Sequence, residues 1–185
     1  MRRLRLTIRP MKEADLDQVM VLDVLCFPSP WSKATYLSEL ARGRGAYYLV
    51  AEQDGKVVGY AGSWIVGKEM HITTIGVDPD CRRTGMGEKL MVAFVREAQR
   101  RNLEEITLEY SVSNAAAEAL YEKFGFAREG LRKGYYQDTG EDAVVATLRR
   151  IRSPILRQRI EAIQAGIDRR ASGEEPIVEI RRSEE

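Results

Sequence analysis

Three stretches of this chain carry residue types whose spacing suits chemistry. The first is Val77-Asp78-Pro79-Asp80-Cys81-Arg82-Arg83-Thr84-Gly85-Met86-Gly87. It reads as a strand end, a short basic loop and two glycines that open a helix. Glycine lets a backbone approach a ligand closely and adopt angles closed to other residues. Free N–H groups and the positive dipole end at a helix start attract phosphate, and Arg82 and Arg83 add charge. The stretch is therefore an expected anion cradle formed by Arg82, Arg83, Thr84, Gly85, Met86 and Gly87, with a pyrophosphate as its guest. It is not a P-loop, because no Gly-Lys-Ser/Thr follows. It also lacks the dinucleotide-binding pattern, because Leu90 stands where a third glycine is required.

The second stretch is Ile106-Thr107-Leu108-Glu109-Tyr110. Alternation puts Ile106, Leu108 and Tyr110 on one face and turns Glu109 to the other. A carboxylate in a partly apolar cleft is expected to have a raised pKa and to serve as a general base. The third is His71, the single histidine. Imidazole ordinarily titrates near pH ~6.5, which suits the same role. Glu109 is the first choice of base and His71 the alternative.

The elements that must position these groups follow from periodicity. Leu4, Leu6 and Ile8 alternate as a strand ended by Pro10. Residues 13–26 carry Leu16, Val19, Met20 and Val24 near helical spacing. Ser32 is an N-cap signal for a helix to about Arg42, with Leu37 and Leu40 inward. Tyr47 to Glu52 and Lys56 to Val66 flank the turn Asp54-Gly55 as a hairpin, and Met70 to Val77 is a fourth strand. A helix from the glycines to about Arg101 turns Leu90, Phe94 and Ala98 inward. Ile106 to Tyr110 is a strand, and Ser113 or Asn114 caps a helix through Lys123. Phe126 to Arg132 and Ala143 to Leu148 close the order βααβββαβαββ, with residues 134–140 as a loop or hairpin end between them. The fold class is α/β (α+β): a three-layer domain over residues 1–150 with a mixed, mostly antiparallel sheet of about seven strands and helices on both faces. In the extension over residues 151–185, Leu156, Ile160, Ile163 and Ile167 share one helical face, with Gly173 as its stop. That face is expected to pack on the domain or on a second subunit.

Composition sets the outer limits. The chain has 185 residues, 44% of them hydrophobic, and a formal charge of +1. This near-balance gives no global reason to expect nucleic-acid binding. No apolar run is long enough to span a membrane. The basic start is not followed by a secretory apolar stretch. Cys26 and Cys81 cannot form a disulfide framework and lack metal-ligand spacing, so reduced thiols, a cytoplasmic location and no metal are expected. The arginines beside Cys81 are expected to lower its pKa.

Arg82-x-x-Gly85-x-Gly87 resembles the pyrophosphate-loop motif of the GNAT acetyltransferase superfamily, and the element order resembles that fold over roughly residues 5–149. Further stretches narrow the likeness: Phe27-Pro28-x-Pro30-Trp31-Ser32, His71-Ile72-Thr73, Ser113-Asn114-Ala115-Ala116-Ala117-x-x-Leu120-Tyr121-x-x-x-Gly125-Phe126, and Tyr135-Tyr136-x-x-x-Gly140-Glu141-Asp142-Ala143. Together they resemble the RimI type of ribosomal-protein N-terminal alanine acetyltransferase and its archaeal relatives. The resemblance implies acetyl-CoA as cosubstrate and a protein N-terminus as acceptor, with a ribosomal protein as the candidate. It implies that Glu109 is the catalytic glutamate, that Tyr121 protonates the leaving thiolate and that Asn114 contacts the cofactor. It also implies that backbone N–H groups of Ile75, Gly76 and Val77, on a bulged fourth strand, face the thioester carbonyl. Phe27, Pro30, Trp31, Tyr135 and Tyr136 would line the acceptor groove. A lysine side chain or a small-molecule amine is the alternative acceptor. A non-catalytic acyl-CoA-binding module would have lost Glu109 or Tyr121, and both are present. A monomer and a homodimer both remain open.

Overall fold

The computed structural model describes residues 6–172. Leu4 and Gly173, used above as a strand residue and a helix stop, lie outside them. The described residues form β1 (Leu6–Pro10), α1 (Leu16–Cys26), α2 (Lys33–Leu40), β2 (Ala46–Gln53), β3 (Lys56–Val66) and β4 (Glu69–Val77). After these come α3 (Met86–Arg100), β5 (Glu105–Ser111), α4 (Ala115–Phe124), β6 (Ala127–Tyr136), β7 (Glu141–Arg149) and α5 (Pro154–Ser172). The seven strands make one sheet in the order β1-β2-β3-β4-β5-β7-β6. Every pairing is antiparallel except β4 with β5. That exception follows from the α3 crossover, because parallel neighbours need a long connection.

Each face of the sheet carries its own core. On one side Leu16, Val19 and Leu22 of α1 and Tyr36 of α2 pack on Tyr48, Val50 and Tyr60. On the other, α3, α4 and α5 share a cluster in which Leu90, Phe94 and Ala98 are fully buried. The expected inward face of α1 needs correction: Leu22 and Asp23 are buried, while Val24 is 64% exposed. Asp23 turns inward because it has partners there. It accepts from the Tyr60 hydroxyl and, at 2.6 Å, from the Trp31 backbone N–H, so a buried carboxylate pins the loop after α1. Strand β6 also runs further than expected. Gly134, Tyr135 and Tyr136 belong to it, across a register shift that Gly134 eases with φ +60°.

The two ends of the site are fixed by caps. The Ser32 hydroxyl accepts from Thr35 N–H, and the Asn114 carbonyl oxygen accepts from Ala117 N–H. Of the two candidate caps for α4, Asn114 is therefore the one used. The predicted α5 face is real: Leu156, Ile160, Ile163 and Ile167 are each 3–6% exposed and belong to the same core as α3. Removing most of one such side chain leaves a cavity, which typically costs about 2–5 kcal/mol. Ile163→Ala should lose stability in that range in urea melts; a loss below about 0.5 kcal/mol would mean that α5 adds nothing to this core.

Candidate active site

The β4–β5 ladder is short. It pairs Glu69 with Glu105, Met70 with Ile106, His71 with Thr107 and Ile72 with Leu108, and there it ends. Beyond that point β4 continues to Val77 along β3, and β5 continues to Ser111 along β7. The two strands diverge, and a wedge opens between Thr73–Val77 and Glu109–Ser111. The register of β4 on β3 shifts at the same place: Ser63 pairs with Ile72 and Gly62 with Thr74, so Thr73 is an extra residue. Such a bulge bends a strand and leaves backbone groups unpaired. Gly76 has no room for a side chain, since a Cβ there would lie 2.3 Å from the Tyr60 ring.

At the mouth of the wedge the basic loop has the expected form. Gly85 caps α3 with φ +81°, and Arg83 also takes a left-handed turn at φ +61°. The Thr84 hydroxyl donates to Cys81 O at 2.7 Å, and Arg82 Nε donates to Val77 O at 3.3 Å. The first N–H groups of α3 lack partners within the helix. Gly87 faces α4 so closely that a Cβ would lie 3.3 Å from a Leu120 methyl. The Met86 side chain is buried, so this residue can meet a ligand only through its backbone. Basic loop, glycine cradle and adjoining open strand edge fit the diphosphate and pantetheine parts of acetyl-CoA. Two cations not singled out from the sequence stand nearby: Lys123 pairs with Glu88 at 2.7 Å, and Arg170 of α5 pairs with Glu88 beside Gly85. The Cys81 thiol is pushed up by burial and by Asp78, not lowered by the arginines.

At the apex of the wedge the two candidate bases touch. His71 Nε2 lies 3.0 Å from Glu109 Oε2, and Arg132 of β6 lies 3.2 Å from Oε1. The Glu109 side chain is 5% exposed. Its pKa is lowered, not raised as a place in an apolar cleft suggests. The hydrogen bond that a protonated His71 ring donates outweighs desolvation, and the charges of that ring and of Arg132 add to it. His71 is held on three sides: Nδ1 lies 3.0 Å from Thr107 Oγ1, and its ring stacks on Trp64 with centroids 5.9 Å apart. Trp64 in turn donates to Glu39 and lies under Arg42.

Tyr121 is buried between Tyr110 and Phe126, and burial pushes its phenol well above the ordinary range. It is therefore a group that keeps its proton until a strong acceptor appears. Asn114 is exposed and its side-chain oxygen serves the α4 cap, which leaves its amide N–H groups free to meet a ligand. The expected acceptor residues lie on two segments that the fold joins. Ser29, between Phe27 and Trp31, donates to Asp138 at 3.1 Å. Trp31 packs on Tyr36, Phe27 is half-buried and Pro30 is exposed. Tyr135 and Tyr136 pack edge to face at 5.1 Å, and Arg132 lies over Tyr135. Both phenols are raised by burial and feel the charge of Glu109, Tyr136 reaching about 12. No group of three or more potential metal ligands occurs among the described residues, and none of their helices is long and apolar enough to cross a membrane.

A strand wedge beside a glycine cradle is the arrangement of an acyl-CoA-dependent acetyltransferase, and comparison with known proteins gives the class. The model of the acetyltransferase (GNAT) family matches residues 16–126, and the chain belongs to that family. It is 34% identical over 146 residues to the ribosomal protein bS18-alanine N-acetyltransferase of Escherichia coli K12, covering 77% of this chain and 96% of that protein. A Bacillus subtilis protein given the same name provisionally is 40% identical over 138 residues, 75% of this chain and 91% of the relative. The crystal structure of the Escherichia coli ribosomal-protein-S18-alanine N-acetyltransferase superposes with a TM-score of 0.73 at 33% identity, covering 78% and 94% of the two chains.

Two measurements check this geometry. Gly87→Asp would place bulk and negative charge at the start of α3. Acetyl-CoA affinity should fall at least about tenfold, ~1.4 kcal/mol, by calorimetry; unchanged affinity would remove the phosphates from this loop. The second concerns Glu109. Its folded pKa lies below the unfolded value of about 4.3, so its ion pairs stabilise the fold above that pH. This contribution is lost as pH falls through the lower folded value. The stability advantage of the wild type over Glu109→Gln should be present above about pH 4.3 and be lost as pH falls below it. An advantage that grew in acid would reverse the assignment.

Proposed function

We propose that this chain transfers the acetyl group of acetyl-CoA directly to the α-amine of a protein, a ribosomal protein with N-terminal alanine, in the cytoplasm. One observation carries the reading: Glu109 and His71 meet at the apex of the strand wedge, under a mouth made by two joined loops. The likeness to enzymes named for that reaction, over 75–77% of this chain and 91–96% of theirs, supports the choice of acceptor.

The cosubstrate supplies an activated thioester; the chain supplies position and proton transfer. An α-amine titrates near ~7.7–8.0 and a lysine near ~10.4, so an N-terminus is easier to deprotonate by on the order of 3 kcal/mol. Glu109 alone is a poor base, because its partners hold it ionised. The pair is better suited: His71 Nε2 takes the proton, directly or through water, and Glu109 balances the charge that results. The two groups lie 3.0 Å apart, close enough to share one proton. Asp78 N–H donates to Val58 O, so by alternation Gly76 N–H also faces β3; the N–H groups of Ile75 and Val77 face the open edge of β4 and are the donors assigned to the carbonyl oxygen as it gains charge. Tyr121 retains its proton and is assigned to the leaving thiolate. Tyr135, Tyr136, Phe27, Pro30 and Trp31 are assigned to the first residues of the acceptor.

Acetylation of a peptide beginning with Ala, read by mass spectrometry, should fall on the α-amine in preference to internal lysines. Acetate mainly on lysine would replace this reading with lysine acetylation. Tyr136→Ala should raise the peptide KM and leave acetyl-CoA affinity unchanged. Glu109→Gln and His71→Gln should each lower kcat ~10²-fold. Because the two act together, the double variant should be no more than a few-fold slower than the worse single one. Losses that multiply would separate their roles.

A further inference from the structure

Behind His71 runs a line of side chains that the reaction above does not use. The Thr107 hydroxyl donates to Glu69 Oε1 at 2.6 Å, and Thr107 Oγ1 lies 3.0 Å from His71 Nδ1. His71 and Thr107 are register partners in the short β4–β5 ladder, and Glu69 lies two residues before His71 on β4. The line thus ends at the apex of the wedge, where His71 Nε2 faces Glu109 Oε2 at 3.0 Å.

The polarity of this line follows from counting hydrogens. An ionised carboxylate only accepts, and a threonine hydroxyl has a single hydrogen. Glu69 takes that hydrogen, so Thr107 presents a lone pair to His71, and Nδ1 must carry a hydrogen to meet it. A neutral imidazole has hydrogen on one nitrogen only. Nε2 then turns a lone pair toward Glu109, and two acceptors 3.0 Å apart repel until a proton enters between them. In the opposite tautomer Nε2–H would donate to Glu109 and fill the pair, and the Nδ1 lone pair would instead meet that of Thr107 at 3.0 Å; each tautomer leaves one repulsive contact, and the Thr107–Glu69 bond is what stands against Nε2–H. The other groups around the ring do not choose between tautomers. Trp64 meets only its face, Glu39 and Arg42 act on Trp64, and Arg132 is on the far oxygen of Glu109.

We propose that Thr107, oriented by Glu69, is a positioning residue that fixes His71 in its Nδ1–H form, so that Nε2 and Glu109 Oε2 hold one vacant proton position facing the acceptor amine. The kinetic part of this inference rests on the base role proposed above; the tautomer does not. In the step it serves, an N–H bond of the substrate ammonium breaks and an Nε2–H bond forms. The amine keeps its electron pair for attack on the thioester carbon. The ring becomes a cation whose two N–H groups are met by Thr107 and Glu109, and the proton later leaves to water.

Because His71 is the sole histidine, ring-¹⁵N-histidine labelling gives one pair of ring nitrogens. Their two-bond ¹⁵N–¹H correlations report the tautomer directly, followed from about pH 5 to the alkaline range where imidazole is neutral. In the full-length chain the neutral ring should be Nδ1–H. Thr107→Val should convert it to Nε2–H and lower kcat about tenfold with acetyl-CoA affinity unchanged. Thr107→Ser should restore both, and Glu69→Gln, which keeps an acceptor oxygen, should retain Nδ1–H while Glu69→Met loses it. A neutral Nε2–H ring in the wild type, or an unchanged tautomer in Thr107→Val, would overturn the proposal. The wild-type spectrum decides even if a variant fails to fold. An Nδ1–H ring together with full activity in Glu109→Gln would instead count against the base reading alone.

Discussion

The parallel ladder between β4 and β5 ends after four residue pairs, and the rest of the site depends on that ending. Had the ladder continued, the β4 edge from Thr73 to Val77 would be paired and closed. Because it stops, one strand edge is left open beside a glycine-opened helix. The bulge at Thr73 bends β4 away at the same point. His71 lies just before the divergence and Glu109 just after it, on neighbouring strands, so the wedge proposed for the cofactor also brings the two ionisable groups together. Two cores lie one on each face of the sheet.

Charge within the wedge is arranged by contact more than by burial. Desolvation alone would raise the Glu109 carboxyl, because burial penalises the ionised form. A hydrogen bond from the protonated His71 ring and the nearby Arg132 reverse the sign. Tyr121 has no such partner to oppose its burial, and it goes the other way. Glu109 is thus held ionised beside His71, whereas the buried Tyr121 phenol keeps its proton.

Much of this is legible in the residues. The bounds of β3, the inward face of α3 and the buried face of α5 follow from periodicity, because each is a local pattern acting on one core. The alternation around Glu109 gives its face correctly. Its protonation is not legible, since that depends on His71 and Arg132 from two other strands. For the same reason no local pattern points to Thr107 and Glu69, to the Ser29–Asp138 contact that joins the two acceptor loops, or to Arg170 beside Gly85. Helical spacing turns Val24 inward because it cannot see that Asp23 has buried partners waiting for it. The end of β6 reads as a loop because its glycine and aromatic residues resemble a turn, whereas they form an irregular edge strand.

The central claim is that thioester and amine meet in the wedge. A crystal structure with a conjugate of coenzyme A and an alanine-starting peptide, joined through an acetyl linker at the α-nitrogen, tests that claim most directly. The linker carbonyl should lie against the open edge of β4 at Ile75–Val77. The diphosphate should sit on the start of α3, and the α-nitrogen should be within one water of the His71–Glu109 pair. A conjugate bound with its α-nitrogen turned away from Glu109, or with its pantetheine arm outside the β4–β5 gap, would contradict it.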